Sequence, residues 1–424
     1  MFFYRVFYCF FWFGMCVSAL FVKKIRTGFW GRRKLTTRLC HETIGWPPQA
    51  NRYWFHFSSA GEFEQALPIL EKLKIQSPSC RIALTYFSPS AKRAVQLEEE
   101  RRKKAGLAVP WDFQDFSPFD FSWSCARFLD FLKPTAFVAI NKEIWPELLF
   151  QCHLRKVPTY LFAAHLSDSV QRRWFFYQSF LKRMRHIGTV NQTSAEFLQE
   201  KGLSSNVTHS GDPRSERVLY RRNLFQTGRA WMTFFFGSPV WIGASLWDSD
   251  LKAILPGLKS VLESNPSLRL VFVPHEPSEH RLRHWKEILS AQGISTRRWS
   301  HWLQTPDDHS HLIVDRVGFL AELYSIATVV LVGGSFKRRV HNVLEPIAYA
   351  CPVFTGPLIH NSPEAVELQR EGLLTVIEDW NQFEKELTRL LRSPEERKRL
   401  SERSFEFLLA RQGASDRYLE ILSR

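Results

Sequence analysis

Tyr53-Trp-Phe-His-Phe-Ser-Ser-Ala-Gly-Glu62 is the stretch on which the reading of the fold turns. Five residues dominated by aromatics make a short strand, Ser-Ser-Ala-Gly makes a small-residue turn, and the positions from Glu62 to Leu73 make a helix. The same unit recurs down the chain. RIALTYF (81–87), FVAI (137–140) and TYLFAA (159–164) are further strands, each followed by polar or helical sequence. Strands alternating with helices predict a parallel sheet in an α/β domain. A second series, VWIGAS (240–245), LRLVFVP (268–274), HLIVD (311–315), TVVLVGG (328–334) and CPVFTG (351–356), predicts a second such domain, with helices at 250–263 and 318–324. The expected division is an anchor at 1–22, a basic juxtamembrane segment at 23–50, a first Rossmann-like domain at 51–215, a linker at 216–238 and a second Rossmann-like domain at 239–424. The last of these ends in a helical tail from Asn381 whose periodic Leu and Phe face a core.

Composition sets the outer limits. With 424 residues, 45% hydrophobic and 23% charged, the chain is long enough for two or three cores and matches neither a disordered nor a collagen-like polymer. Its 57 Lys and Arg against 42 Asp and Glu give a net charge of +15, which favours anionic partners: nucleic acid, anionic lipid or a phosphorylated substrate. No RRM, KH, helix-turn-helix or zinc module is visible, so nucleic acid is not an expected partner. The seven cysteines are scattered and form no CxxC, consistent with reduced thiols or buried apolar fillers.

The N-terminus reads as a membrane address. Val6 to Val22 is an uncharged apolar run of 17, at the lower limit for a spanning helix, and no A-x-A type cleavage site follows. Lys23, Lys24, Arg26, Arg32, Arg33, Lys34 and Arg38 come next, a cluster that stays cytoplasmic and attracts anionic headgroups. The expectation is a single retained anchor with the bulk of the chain on the cytoplasmic side; the alternative is a buried helix of the first domain.

Two facing doubly wound domains would put strand C-termini and helix N-termini around a shared cleft suited to an anionic, nucleotide-like ligand. Three strings fall there. In the first, Glu62 opens a helix, where it is either a general base or simply an N-terminal cap. In the second, Ile140-Asn-Lys-Glu143-Ile-Trp-Pro-Glu147, polar groups end a buried strand and Pro enters a helix; Glu143 binds hydroxyls or is again a helix-start carboxylate. In the third, Val332-Gly-Gly-Ser-Phe-Lys-Arg-Arg-Val-His-Asn342-Val-Leu-Glu345-Pro346, Gly permits close backbone approach, the basic run neutralises negative charge, and Glu345 lies where ribose hydroxyls need an acceptor. Ser245, Pro274-His-Glu-Pro277 and Gly211-Asp-Pro-Arg214 fit the same place or are turn features. Asp307, Asp308, His309 and His311 lack a regular metal-ligand spacing.

Taken in order, these strings resemble the 3-deoxy-D-manno-octulosonic acid (Kdo) transferases of lipopolysaccharide synthesis, membrane-associated inverting glycosyltransferases of the GT-B fold. The family pattern W-I-H-x-x-S-x-G-E is matched at 54–62, E-x-E-x-W-P at 141–146, G-D-x-R at 211–214, G-S-x-W at 244–247, P-H-E at 274–276, and V-G-G-S…H-N-x-L-E-P at 332–346. The resemblance implies α/β architecture with two Rossmann-like domains, and transfer of Kdo from CMP-Kdo to a lipid A precursor of the lipid IVA kind in the inner membrane, with no metal or cofactor. It makes Glu62 the general base, Ser59, Gly61 and Glu143 its acceptor-side support, and Arg214, Ser245, His275, Gly334, Ser335, Asn342 and Glu345 the groups holding CMP-Kdo. Asn141 stands where the family has its first acidic residue, Lys337 to Val340 where it has glycine, and Ala244 where it has Gly. Those departures keep two other readings open: a GT-B enzyme using another nucleotide sugar, and a membrane-tethered binding protein without turnover.

Overall fold

The computed structural model describes residues 1–166, 168–172, 174–224 and 229–423. The chain forms two compact units, residues 1–217 with 413–424 and residues 218–412. The first holds one seven-stranded sheet: β1 (Arg52–Phe57), β2 (Arg81–Tyr86), β3 (Phe113–Phe116), β4 (Ala136–Ile140), β5 (Thr159–Ala164), β6 (His186–Thr189) and β7 (Val207–His209). Every pairing is parallel, in the order β3-β2-β1-β4-β5-β6-β7. Apolar side chains cover both faces, as continuous hydrophobic strands require. Trp54 packs on Phe128 and Phe137 on one side, while Phe55 and Phe57 meet Phe63 and Leu67 on the other.

The second unit repeats the plan with β8 (Val240–Leu246), β9 (Arg269–Pro274), β10 (Thr296–Arg298), β11 (His311–Ile313), β12 (Val329–Val332), β13 (Val353–Thr355) and β14 (Leu374–Val376). Its order is β10-β11-β9-β8-β12-β13-β14, again parallel throughout. The order reverses between β1 and β4 in the first sheet and between β8 and β12 in the second, whose edge also has β10 outside β11. Such a switch point parts the following helices to opposite faces and opens a crevice at the strand C-termini.

Three segments differ from the sequence expectation. The expected linker 216–238 is largely structured: helix Arg214–Leu224 covers its start, residues 225–228 lie outside the described residues, and the 3-10 turn Ala230–Phe235 drives Trp231, Phe234 and Phe235 against Trp299 and Trp302. The end of the chain belongs to the first unit although the sequence places it in the second. Helix Ala414–Ser423 inserts Tyr418 beside Phe162; its hydroxyl accepts from the Ala163 N–H at 3.0 Å and donates to the Gly211 carbonyl at 2.9 Å, and Lys72 pairs with Asp416 at 2.6 Å. Finally, two of the juxtamembrane cations are engaged by side chains and backbone of the first unit. Arg32 stacks on Phe87, Phe116 and Phe119 and donates to the Ser117 carbonyl at 2.8 Å, burial lowering its pKa to about 10, and Arg38 pairs with Asp115 at 2.6 Å.

Candidate active site

In the first unit, the expected residues gather at the β1/β4 switch point. The chain leaves β1 through Ser58 and enters helix Ala60–Gln76, with Ser59 as N-cap in an extended conformation. Ser59 and Glu62 form a capping box, and Glu62 Oε2 accepts from the backbone N–H of Ser58 at 2.7 Å and of Ser59 at 2.9 Å. Gly61 leaves open space where a side chain would stand. Glu143 follows β4, the strand beside β1. Its Oε2 accepts from the Ser58 hydroxyl and from Trp145 Nε1 at 2.8 Å, with His56 Nε2 3.4 Å away. His56 is fully buried on β1, its Nδ1 3.1 Å from the Thr85 carbonyl and 3.0 Å from the Thr85 hydroxyl, with Nε2 turned toward the carboxylate.

The two carboxylates are driven apart electrostatically. Burial, and then the charge of Glu143, raise the Glu62 pKa to about 7. Burial also pushes Glu143 upward, but the His56, Ser58 and Trp145 contacts outweigh it and hold its pKa below the usual range. Carboxylates whose environments separate their pKa values mark an acid–base pair. Asn141, one residue past β4, sits at φ +65°, a left-handed conformation that Asn tolerates better than the acidic residue of the resembling pattern. Arg214 also lies in this unit: it donates through Nε and a terminal nitrogen to Asp212, at 3.0 and 2.7 Å, and Gln65, on the Glu62 helix, donates to the same carboxylate at 3.1 Å.

In the second unit, Ser245, His275, Gly334 and Ser335 end β8, β9 and β12, again at the switch point. Ser245 sits at φ +53°, where the register of β8 on β9 shifts. A Cβ on Gly333 would come 2.6 Å from the Ser245 carbonyl, and Gly334 turns at φ +96° with its missing Cβ aimed at the Arg339 carbonyl and the His341 ring. Close approach and positive φ both require glycine here. The loop is held from beneath by Asp250, whose carboxylate accepts from the N–H groups of Trp247 at 2.7 Å, Gly334 at 2.8 Å and Phe336 at 3.4 Å. Above it stand aromatic groups in contact. Trp247 Nε1 donates to His341 Nε2 at 3.1 Å, His341 stacks on His275 at 4.3 Å, and Arg338 lies 4.4 Å over the Trp247 ring. Burial lowers both histidine pKa values, that of His341 to about 4, so both are neutral imidazoles at neutral pH.

The remaining expected residues shape the loop. Ser335 is buried and its Oγ accepts from the Gly356 N–H at 2.6 Å; Asn342 Oδ1 accepts from the Leu344 N–H at 3.0 Å; Glu345 pairs with Arg221 at 3.2 Å. Val340 replaces glycine without strain because it points into the core and its N–H reaches the Leu358 carbonyl at 3.2 Å. Asp307 closes its own turn with Ser310 and pairs with Arg297. Sequence reasoning missed His56, Ser58, Trp145, Asp250 and His341 as site residues. For Asp250 only half the signal was present, an acidic residue three past the N-cap position, with Trp247 where a capping box has Ser or Thr.

Residues 31–217 match the family described as 3-deoxy-D-manno-octulosonic-acid transferase (kdotransferase), and residues 307–407 match glycosyl transferases group 1. A 3-deoxy-D-manno-octulosonic acid transferase of Haemophilus influenzae is 28% identical over 394 residues, 89% of this chain and 87% of that protein. The Kdo transferase of Aquifex aeolicus is 27% identical over 343 residues, covering 80% and 85%. The chain is similar to the Kdo transferases over most of its length. In fold, the chain is similar to a UDP-GlcNAc 2-epimerase from Neisseria meningitidis at a TM-score of 0.63 with 13% identity, over 88% of this chain and 99% of that one. The architecture is GT-B.

Proposed function

We propose that the protein transfers Kdo from CMP-Kdo to a hydroxyl of a lipid A precursor, with inversion, without a metal, and at the cytoplasmic face of the inner membrane. The observation that carries the reading is the Glu62–Glu143 pair at the β1/β4 switch point, one carboxylate raised to about 7 and its neighbour held low. Glu62 takes the proton of the acceptor hydroxyl, the oxygen attacks the anomeric carbon from the face opposite the phosphate, and CMP leaves with the electrons of the breaking C–O bond. Glu143 stays ionised and maintains the basicity of Glu62, while Ser59 and Gly61 shape the acceptor side. Arg214, Ser245, His275, Gly334, Ser335, Asn342 and Glu345 are assigned to CMP-Kdo, Ser335 and Asn342 through the loop they brace.

The test is a mass-spectrometric assay of membranes supplied with CMP-Kdo and a bisphosphorylated lipid A precursor. The expected result is one or more added Kdo masses, lost in Glu62→Gln by about 10²–10⁴-fold, the scale of general-base catalysis, with CMP-Kdo binding retained. No addition alongside an active control enzyme overturns the reading, and transfer from a UDP- or GDP-sugar instead reassigns the donor.

A further inference from the structure

Helix Phe2–Phe21 is 20 residues long and, by length and composition, apolar enough to cross a membrane. A helix of that length measures about 30 Å, the thickness of a hydrocarbon core. A spanning helix would carry its first turns to the far side of the bilayer. Here those turns are fastened to the first unit. The Tyr4 hydroxyl donates to Asp120 at 2.6 Å, the Asp120 N–H donates to the Tyr8 hydroxyl at 3.0 Å, and Tyr8 and Trp12 pack on Phe121 at 5.0 and 5.7 Å. Arg5 grips Glu147 with two hydrogen bonds, at 2.8 and 3.0 Å, and lies over Phe150.

The stripe at positions 4, 8 and 12 therefore runs along the protein for more than two turns. The partners are not incidental surface. Asp120 is buried and also accepts from the Glu147 and Leu148 N–H groups, at 3.0 and 2.8 Å, capping helix Pro146–Leu154. The Glu147 side chain is fully buried. Withdrawing Arg5 would strand a buried carboxylate without its cation.

The opposite stripe is apolar and open: Phe3 is 87% exposed, Phe10 73% and Phe21 82%, with Phe7 and Phe13 beside them. Lys23, Lys24, Arg26, Arg33 and Lys34 follow, all exposed. An apolar face next to cations matches a leaflet of anionic lipid, with acyl chains for one part and phosphates for the other. Resting on the membrane reading above, we infer that the first helix lies in the plane of one leaflet as a fixed part of the first unit and does not cross the bilayer. The acceptor-side loop bearing Glu143 is then held at a set height above the lipid, because the helix that follows it shares Asp120 with the anchor.

The test uses the full chain carrying Cys9→Ser, Cys16→Ser and Cys40→Ser, with one added cysteine from Phe3→Cys, Phe10→Cys or Val17→Cys. Each is labelled with a fluorophore and bound to vesicles of phosphatidylethanolamine and phosphatidylglycerol containing depth-graded brominated lipids. Equal, shallow quenching at all three positions is expected. A label deepest at position 10 with position 3 in the far leaflet overturns the in-plane helix while leaving membrane binding intact. A chain that does not sediment with the vesicles overturns the membrane reading itself, and this inference with it.

Discussion

Glu62 caps its helix through one oxygen of its carboxylate, which leaves room for the proposed role as base. Both backbone hydrogen bonds fall on Oε2, so the helix cap and an acceptor hydroxyl need not compete for the same oxygen. The alternatives posed by the sequence, cap or base, are thus compatible in the structure. With its pKa raised to about 7, Glu62 gains its charge across neutral pH, and turnover is expected to rise through a single acid limb centred near that value, measured as kcat/KM against pH. The same shift has a sign for stability. The folded state holds the proton more tightly than the unfolded chain, so this contribution is complete below the ordinary carboxylate pKa and is lost as pH climbs to about 7. Glu62→Gln should therefore match wild type in urea melts at pH 4 and exceed it by about 1–3 kcal/mol at pH 8. The strand-turn-helix string made Glu62 and Glu143 legible in sequence. His56 was not, because a buried polar residue within an apolar strand shows its partner only once β1 and β4 are side by side.

At the scale of elements, the second unit depends on a loop supported by one acidic side chain. Asp250→Ala leaves up to three backbone N–H groups without their acceptor, at roughly 1–3 kcal/mol for each that stays dry. The expected outcome is a lower melting temperature and a raised KM for the nucleotide sugar, with kcat less affected. Gly334→Ala tests the turn itself: an L side chain at φ +96° meets the Arg339 carbonyl, and donor affinity measured by calorimetry should fall by about tenfold or more. Element legibility followed apolar continuity. Strands β1, β2, β4, β5, β8, β9, β11, β12 and β13 were visible as parts of longer apolar runs, whereas β3, β6, β7, β10 and β14 are three or four residues long and broken by polar ones, so they show neither a period of two nor a continuous run. Those short strands flank the sheets and complete them without touching the switch points, so the site was readable before the sheet was.

For the whole molecule, the division into two α/β units was legible because the strand rhythm stops and restarts. The return of the last helix was not, since its periodic Leu and Tyr specify that it packs and not what it packs against. Tyr418 is completely buried and reaches backbone groups on β5 and beyond β7. Tyr418→Ala should cost about 3–5 kcal/mol, read as a lower denaturation midpoint and as earlier proteolytic cleavage within residues 1–217 than within 218–412. This closure has a consequence for biosynthesis. The ribosome emits the segment completing the first unit after the whole of the second, so nascent residues 1–217 emerge with the Tyr418 slot vacant and must wait through the translation of 195 residues. Order of assembly is thereby reversed relative to order of synthesis: the second unit can finish folding first, and the first becomes sealed only once residues 413–424 have been made.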